Sequence, residues 1–181
     1  PKAREEKIAI IGSGPAGLAA AYELIKKGYL VTIFEVLSEP GGMLRVGIPS
    51  YRLSKDLLDA EIAYLQSQGL EIKTATSIGK DLTIDDLTQK GYQAIFIATG
   101  AHKSRELHIE GERLSGVFHA LDLLGKINMG KKVKLGNRVG IIGGGNVAVD
   151  VARTALRLGS KKVVILYRRS REEMPANPWE V

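Results

Sequence analysis

An α/β architecture of parallel strands and crossing helices, with its opening unit used twice, is the fold class this sequence predicts. Three observations carry that expectation. Ile8–Ile11 is an apolar run entering the turn G-S-G-P-A-G, followed by a helical stretch and a second apolar run, Leu30–Phe34. Arg138–Ile142 enters G-G-G-N-V-A in the same way, and Lys162–Tyr167 returns. Between the two units, strand-length apolar runs alternate with helically periodic stretches, the pattern of β-α-β crossovers.

In the first unit Gly12, Gly14 and Gly17 form G-x-G-x-x-G, with Ser13, Pro15 and Ala16 between them. The first glycine permits a tight turn, the second lets backbone approach a pyrophosphate, and the third lets the helix pack close on the strand. Pro15 suits the first helical turn because its missing N–H removes no helical bond. The turn aims free N–H groups and the positive end of the helix dipole at a phosphate. Gly28 closes the helix. Glu35 ends the second strand 23 positions after Gly12, where an acid accepts hydrogen bonds from ribose hydroxyls.

The stretch after Glu35, V-L-S-E-P-G-G-M-L-R-V-G-I-P-S-Y-R-L, reads as an apolar, glycine-rich loop that wraps a ligand. Ser54 is placed to cap a helix over Lys55–Gln68, stopped by Gly69. Leu70–Ala75 reads as a short strand, and Thr83–Asp86 has capping-box spacing at the start of a short helix. Gln93–Ala98 is a buried strand ending in Thr99-Gly100. Residues 101–116 form a polar loop, Val117–His119 a brief strand, Ala120–Asn128 a helix, and Met129–Asn137 a basic linker.

The second unit places Gly143, Gly145 and Ala148 as G-x-G-x-x-A, with a helix over Val147–Leu158 stopped by Gly159. Where the first unit carries Glu35, this one carries Tyr167, Arg168 and Arg169. An acid repels a 2′-phosphate, whereas paired guanidiniums bind it. The first unit therefore suits FAD or NAD and the second NADP(H). Two such units in one chain suggest hydride transfer between a resident flavin and an exchanging nicotinamide. A flavin-free NAD(P) dehydrogenase and a non-catalytic nucleotide-binding module are the competing readings. The fold class is thus Rossmann-like with two dinucleotide-binding units, residues 1–125 holding the first, for FAD or NAD, and 126–181 the start of an NADP(H)-binding domain.

Composition narrows the field further. The chain has 181 residues, 44% of them hydrophobic and 25% charged, and no cysteine, which excludes disulfides, thiol catalysis and a cysteine-ligated cluster within it. The net charge of +6 gathers toward the end, yet no nucleic-acid motif accompanies it. No apolar run is long enough to span a membrane and no secretory leader is evident, so a cytoplasmic location is expected. His102, His108 and His119 lack metal-ligand spacing. The start at Pro1, in a run of charge, suggests a processed end.

I-G-S-G-P-A-G, P-G-G-M-L-R-V-G-I-P-S-Y-R-L, I-A-T-G-A, G-G-G-N-V-A-V-D-V-A-R-T-A-L-R-L-G and Y-R-R-S-R-E-E-M-P-A are spread almost from end to end of the chain. With these the sequence resembles the FAD- and NADPH-binding region of the glutamate synthase small-subunit family, which includes the matching region of dihydropyrimidine dehydrogenase and the large subunit of NADH-dependent ferredoxin:NADP oxidoreductase. The resemblance implies that Gly12–Gly17 hold the FAD pyrophosphate and Glu35 its ribose. It implies that Gly42, Met43, Leu44 and Arg45 line the isoalloxazine and phosphate side, that Arg52 reaches a phosphate or the flavin, that Ile78 packs on the adenine, and that Thr99 and Gly100 approach the FAD. Gly143, Gly144, Gly145, Asn146 and Val147 would meet the NADPH pyrophosphate, and Arg168, Arg169 and Arg171 the 2′-phosphate. It further implies an iron–sulfur domain or partner subunit as electron acceptor. Because the family's nicotinamide domain continues past Met174-Pro175-Ala176, the chain is expected to be a truncated piece that binds FAD weakly at best and turns over little.

Overall fold

A computed structural model describes residues 3–180. The chain divides into two compact units, the first formed by the chain up to Arg45 with Ser50–Ala101, the second by Val46–Pro49 with the chain from His102 onward. The expected boundary after residue 125 is a division by nucleotide rather than by compactness. It falls inside a helix whose buried Leu123 and Leu124 pack with Ile141, Ala148 and Val151, in the core of the second unit.

In the first unit, β1 (Lys7–Ile11), β2 (Leu30–Phe34), β3 (Glu71–Lys73) and β4 (Tyr92–Ile97) form a parallel sheet in the order β3-β2-β1-β4. The crossovers carry α1 (Pro15–Lys26), α2 (Met43–Val46), α3 (Lys55–Ser67) and α4 (Ile84–Gln89). Side-chain alternation along β1 and β2 sorts the two faces. Ile10, Val31 and Ile33 pack with Ala21, Leu65 and Leu70 on one side. Ala9 and Phe34 pack with Leu87 and Tyr92 on the other, where the Phe34 and Tyr92 rings meet edge to face at 5.6 Å. Both central strands are buried over four consecutive residues, as parallel strands covered on both faces must be.

Several local expectations are corrected. The loop after Glu35 contains the short helix α2, closed by Leu44 N–H and Arg45 N–H donating to Gly41 O and Gly42 O. β3 stops at Lys73 because Ala75 takes a left-handed conformation, and Ala75 N–H and Thr76 N–H turn back to Leu37 O and Glu35 O. Ser54 occupies the cap position of α3 through its carbonyl, which accepts from Leu58 N–H, while its hydroxyl makes no capping bond. Val117–His119 is not a strand. Val117 N–H closes a turn onto Leu114 O, and no neighbouring strand among the described residues offers it a ladder.

In the second unit α5 (Ala120–Asn128) precedes β5 (Arg138–Ile142), α6 (Asn146–Arg157) and β6 (Lys162–Leu166). β5 and β6 pair in parallel, Ile142 opposite Leu166. α5 and α6 cover one face of this ribbon, and Asn128 Nδ2 donates to Val46 O and Ile48 O at 2.8 and 3.2 Å. On the other face Ile142, Val164 and Leu166 are exposed. A 3₁₀ turn, Pro178–Glu180, ends the described chain. Among the described residues, no helix is long and apolar enough to cross a membrane.

The capping box read at Thr83 is formed: Thr83 Oγ1 accepts from Asp86 N–H at 3.1 Å, and Asp86 Oδ2 accepts from Thr83 N–H at 2.7 Å. The Thr83 N–H and hydroxyl hold the Asp86 carboxyl below its ordinary range. A folded value below the unfolded one stabilises above the ordinary carboxylate range, and that stabilisation fades as pH falls through the lowered folded value. Thr83→Ala should cost about 1 kcal/mol in urea unfolding at neutral pH. The difference from wild type should shrink as the pH drops below the carboxylate range.

Candidate functional site: two glycine turns

Each unit presents a strand–turn–helix corner, and the two corners are built alike. In the first, Gly12 N–H donates to Phe34 O at 2.8 Å; in the second, Gly143 N–H donates to Leu166 O at 2.9 Å. Gly12 (φ 104) and Gly143 (φ 137) both use the region open to glycine. The backbone crowding at Gly12 and Gly17 is severe. A Cβ on Gly12 would lie 2.4 Å from Ala98 O, and one on Gly17 would lie 2.0 Å from Gly12 O. A Cβ on Gly14 or on Gly145, by contrast, meets nothing within 4 Å. Gly14 and Gly145 are the N-cap residues of α1 and α6, so each open position sits where the first helical N–H groups point outward. Each turn therefore leaves open space beside its second glycine.

Around the first turn, Ser13 and Glu35 are buried together. Ser13 N–H and Ser13 Oγ donate to Glu35 Oε2 at 2.9 and 2.5 Å, and Leu37 N–H donates to Glu35 Oε1 at 2.9 Å. The serine hydroxyl also accepts from Gly41 N–H at 2.9 Å, which brings the loop beyond Glu35 onto the turn. Gly42 lies so close that a Cβ there would be 2.7 Å from Gly14 Cα. Pro15 and Ala16 are exposed in the first turn of α1. Thr99 and Gly100 come after β4 and run past Gly12, with Thr99 Cα 3.3 Å from the position of a Gly12 Cβ.

Other expected site residues are placed differently. Arg45 does not face the turn opening. Its side chain is buried, with Nη1 3.0 Å from Glu39 Oε2, Nη2 donating to Asp59 Oδ1 and Nε donating to Pro40 O. Leu44 lines an apolar groove of about 460 Å³ with Leu18, Tyr22 and Leu58, between α1 and α3. Its carbonyl accepts from Lys55 Nζ at 2.9 Å, and burial, then the Arg45 charge, lowers the Lys55 pKa. Met43 is half-buried and Arg52 is exposed. Ile78 is half-buried against the cluster of Ala9, Phe34, Leu87 and Tyr92, so its side chain serves the core.

At the second turn Tyr167 takes the position next to Leu166 that Glu35 takes next to Phe34. Its ring lies over Gly144, where a Cβ would meet it at 2.7 Å, and its hydroxyl donates to Glu173 O at 3.3 Å. Ala176 N–H donates to Gly144 O at 3.0 Å and Asn177 N–H to Asn146 Oδ1 at 2.8 Å, so the last segment folds back over the turn. Val147 is exposed at the start of α6, beside Asn146, while Ala148 is buried and has its Cβ 3.6 Å from where a Gly143 Cβ would lie. Arg168, Arg169 and Arg171 are exposed on the loop after β6, which Ser170 N–H tightens by donating to Glu173 Oε2 at 3.1 Å. Sequence reasoning missed the Tyr167–Gly144 stack and the 176–177 return. The one available signal for the loop was the S-x-x-E spacing of Ser170 and Glu173.

Against known proteins, residues 6–178 match the family described as pyridine nucleotide-disulphide oxidoreductase. The chain is 50% identical over 97% of its length to the NADP(+)-dependent formate dehydrogenase subunit beta of Moorella thermoacetica, of which it covers 25%. It is 36% identical over 96% of its length to the NADPH glutamate synthase small chain of Azospirillum brasilense, covering 38% of it. The chain thus spans well under half the length of either relative. The structure of Mycobacterium tuberculosis FprA in complex with NADPH aligns with 98% of this chain and 46% of that one, at a TM-score of 0.84 and 27% identity.

The two kinds of glycine separate experimentally. Gly17→Ala drives a Cβ into backbone that cannot yield, and should lower unfolding free energy by at least about 2 kcal/mol. Gly14→Ala adds its methyl to open space and should change it by no more than about 0.5 kcal/mol. Urea titrations of the two variants check the contrast.

Proposed function

We propose, for a chain that belongs to the pyridine nucleotide-disulphide oxidoreductase family, that it is the nucleotide-binding part of an NADPH- and FAD-dependent oxidoreductase of the glutamate synthase small-subunit type. The observation that carries the reading is the exchange of chemistry at one equivalent position: the buried carboxylate of Glu35 after β2, and Tyr167 with exposed Arg168 and Arg169 after β6. An FAD bound at the first turn would accept hydride from NADPH and release electrons to an iron–sulfur acceptor in a further domain or partner subunit.

The side chains act by binding and orienting. Glu35 receives three protein hydrogen bonds, from Ser13 N–H, Ser13 Oγ and Leu37 N–H. A carboxylate has about four lone-pair sites, so capacity remains for a ribose hydroxyl. As an acid it repels a 2′-phosphate. The Gly12–Gly17 turn offers helix N-terminal N–H groups and the open side of Gly14 to a pyrophosphate. Gly145, Asn146 and Val147 repeat that offer at the second turn. There Arg168, Arg169 and Arg171 provide planar donors suited to a phosphate monoester. Gly42, Thr99 and Gly100, beside the first turn, are the FAD-side backbone in this reading.

Flavin titration followed by reduction tests the proposal. In titration the chain should bind added FAD weakly, and NADPH should bleach the bound fraction under anaerobic conditions at least tenfold more efficiently than NADH. Arg168→Ala with Arg169→Ala should remove about 1.5–3 kcal/mol of NADPH binding, or one to two orders of magnitude, and leave NADH binding nearly unchanged. Protein that takes up no flavin, or reduction indifferent to the two arginines, would refute the assignment.

A further inference from the structure

We propose that Arg45 is a positioning residue for the flavin pyrophosphate site, one that clamps the 39–42 loop onto the first glycine turn without touching a phosphate itself. The proposal rests on the flavin reading given above. Each of the three guanidinium nitrogens of Arg45 meets an acceptor of this chain: Nε the carbonyl of Pro40, Nη1 the carboxylate of Glu39, Nη2 the carboxylate of Asp59 on α3. The residue is 4% exposed. A guanidinium so enclosed has its planar fork committed to protein, and turning it toward a ligand would leave a carbonyl and two carboxylates without their cation.

The clamp holds the roof of the turn. Pro40 precedes Gly41, whose N–H donates to Ser13 Oγ at 2.9 Å, and Ser13 Oγ donates to Glu35. Gly41 is wedged between α3 and the clamp: a Cβ there would lie 2.8 Å from Leu58 Cδ2 and 3.2 Å from Arg45 Cβ. Gly42 rests on Gly14, the open glycine of the cradle. A continuous path of bonds therefore runs from Asp59 through Arg45 and Pro40 to Gly41, Ser13 and Glu35. Loosening it at the Asp59 end frees the loop that fixes the ribose acceptor and borders the pyrophosphate cradle.

A phosphate ligand and a clamp respond differently to substitution. Lys keeps a point charge that a phosphate accepts, yet it cannot reach three separated acceptors at once. Removing a phosphate contact flattens the dependence of FAD affinity on ionic strength, whereas loosening a clamp lowers affinity at every salt concentration alike. Asp59, more than half exposed at its side chain, can be changed to Asn without burying a new group. We expect Arg45→Lys, Arg45→Met and Asp59→Asn each to weaken FAD binding by about tenfold with an unaltered salt slope, and Arg45→Met with Asp59→Asn to be no worse than Arg45→Met alone. Hydrogen exchange at the Gly41 amide of the flavin-free chain should accelerate in all three. An Asp59→Asn variant with wild-type FAD affinity, an Arg45→Lys variant that retains it, or a flattened salt slope in Arg45→Met would overturn the clamp. Unchanged Gly41 exchange in Asp59→Asn would do so without reference to flavin. Faster exchange in a protein whose wild type takes up no FAD would instead bring down the flavin reading, and the positioning role with it.

Discussion

A carboxylate held inside the protein governs the first unit. Glu35 is buried at the end of β2, and its charge is tolerated because Ser13 and Leu37 direct N–H and O–H groups at both oxygens. Burying a carboxylate without such donors costs several kcal/mol, so the turn and the acid fix one another. Gly12, with its positive φ, immediately precedes the Ser13 N–H that points at the acid. The glycine turn thus does more than admit a ligand: its backbone helps hold the acid. The loop above the turn is tied into the same system through Gly41 and Ser13.

The second unit solves the corner differently with the same backbone. The hydrogen bond from the first glycine to the neighbouring strand recurs almost unchanged, at 2.8 and 2.9 Å. The groups filling the space beyond it differ in kind. One corner has an acid, a serine and a folded loop; the other has an aromatic ring over Gly144, a returning chain end and three exposed arginines. Any difference in ligand preference must therefore come from the residues just past the returning strand, because the strand–turn–helix frame beneath them is common to both corners.

Much of this was legible from residues alone, for an identifiable reason. β1, α1, β2, β5, α6 and β6 are fixed by apolar period and by glycines within a few positions of one another, so short-range pattern suffices. The capping box at Thr83 is likewise local. Interactions that join distant residues were not legible. The resemblance implied Arg45 on the phosphate side, and residues alone gave no sign that its acceptors include Asp59, fourteen residues on and one helix away. Leu44, a cofactor contact by resemblance, lines the groove between α1 and α3, a neighbourhood that no local pattern announces. Ile78 is drawn into the core by Phe34 and Leu87, partners supplied by the sheet's register. That α5 packs with β5 and α6 was not legible either, because its apolar stripe meets partners that come after it in sequence.

The bare side of the β5–β6 ribbon has a consequence of its own. Parallel strands are stable when both of their faces are covered, and two strands alone are marginal. Ile142, Val164 and Leu166 nonetheless stand open to water on the side away from α6. Such a face is adhesive toward another apolar layer, whether of helices or of sheet. One apolar layer seated on that face would dry Ile142, Val164 and Leu166 together.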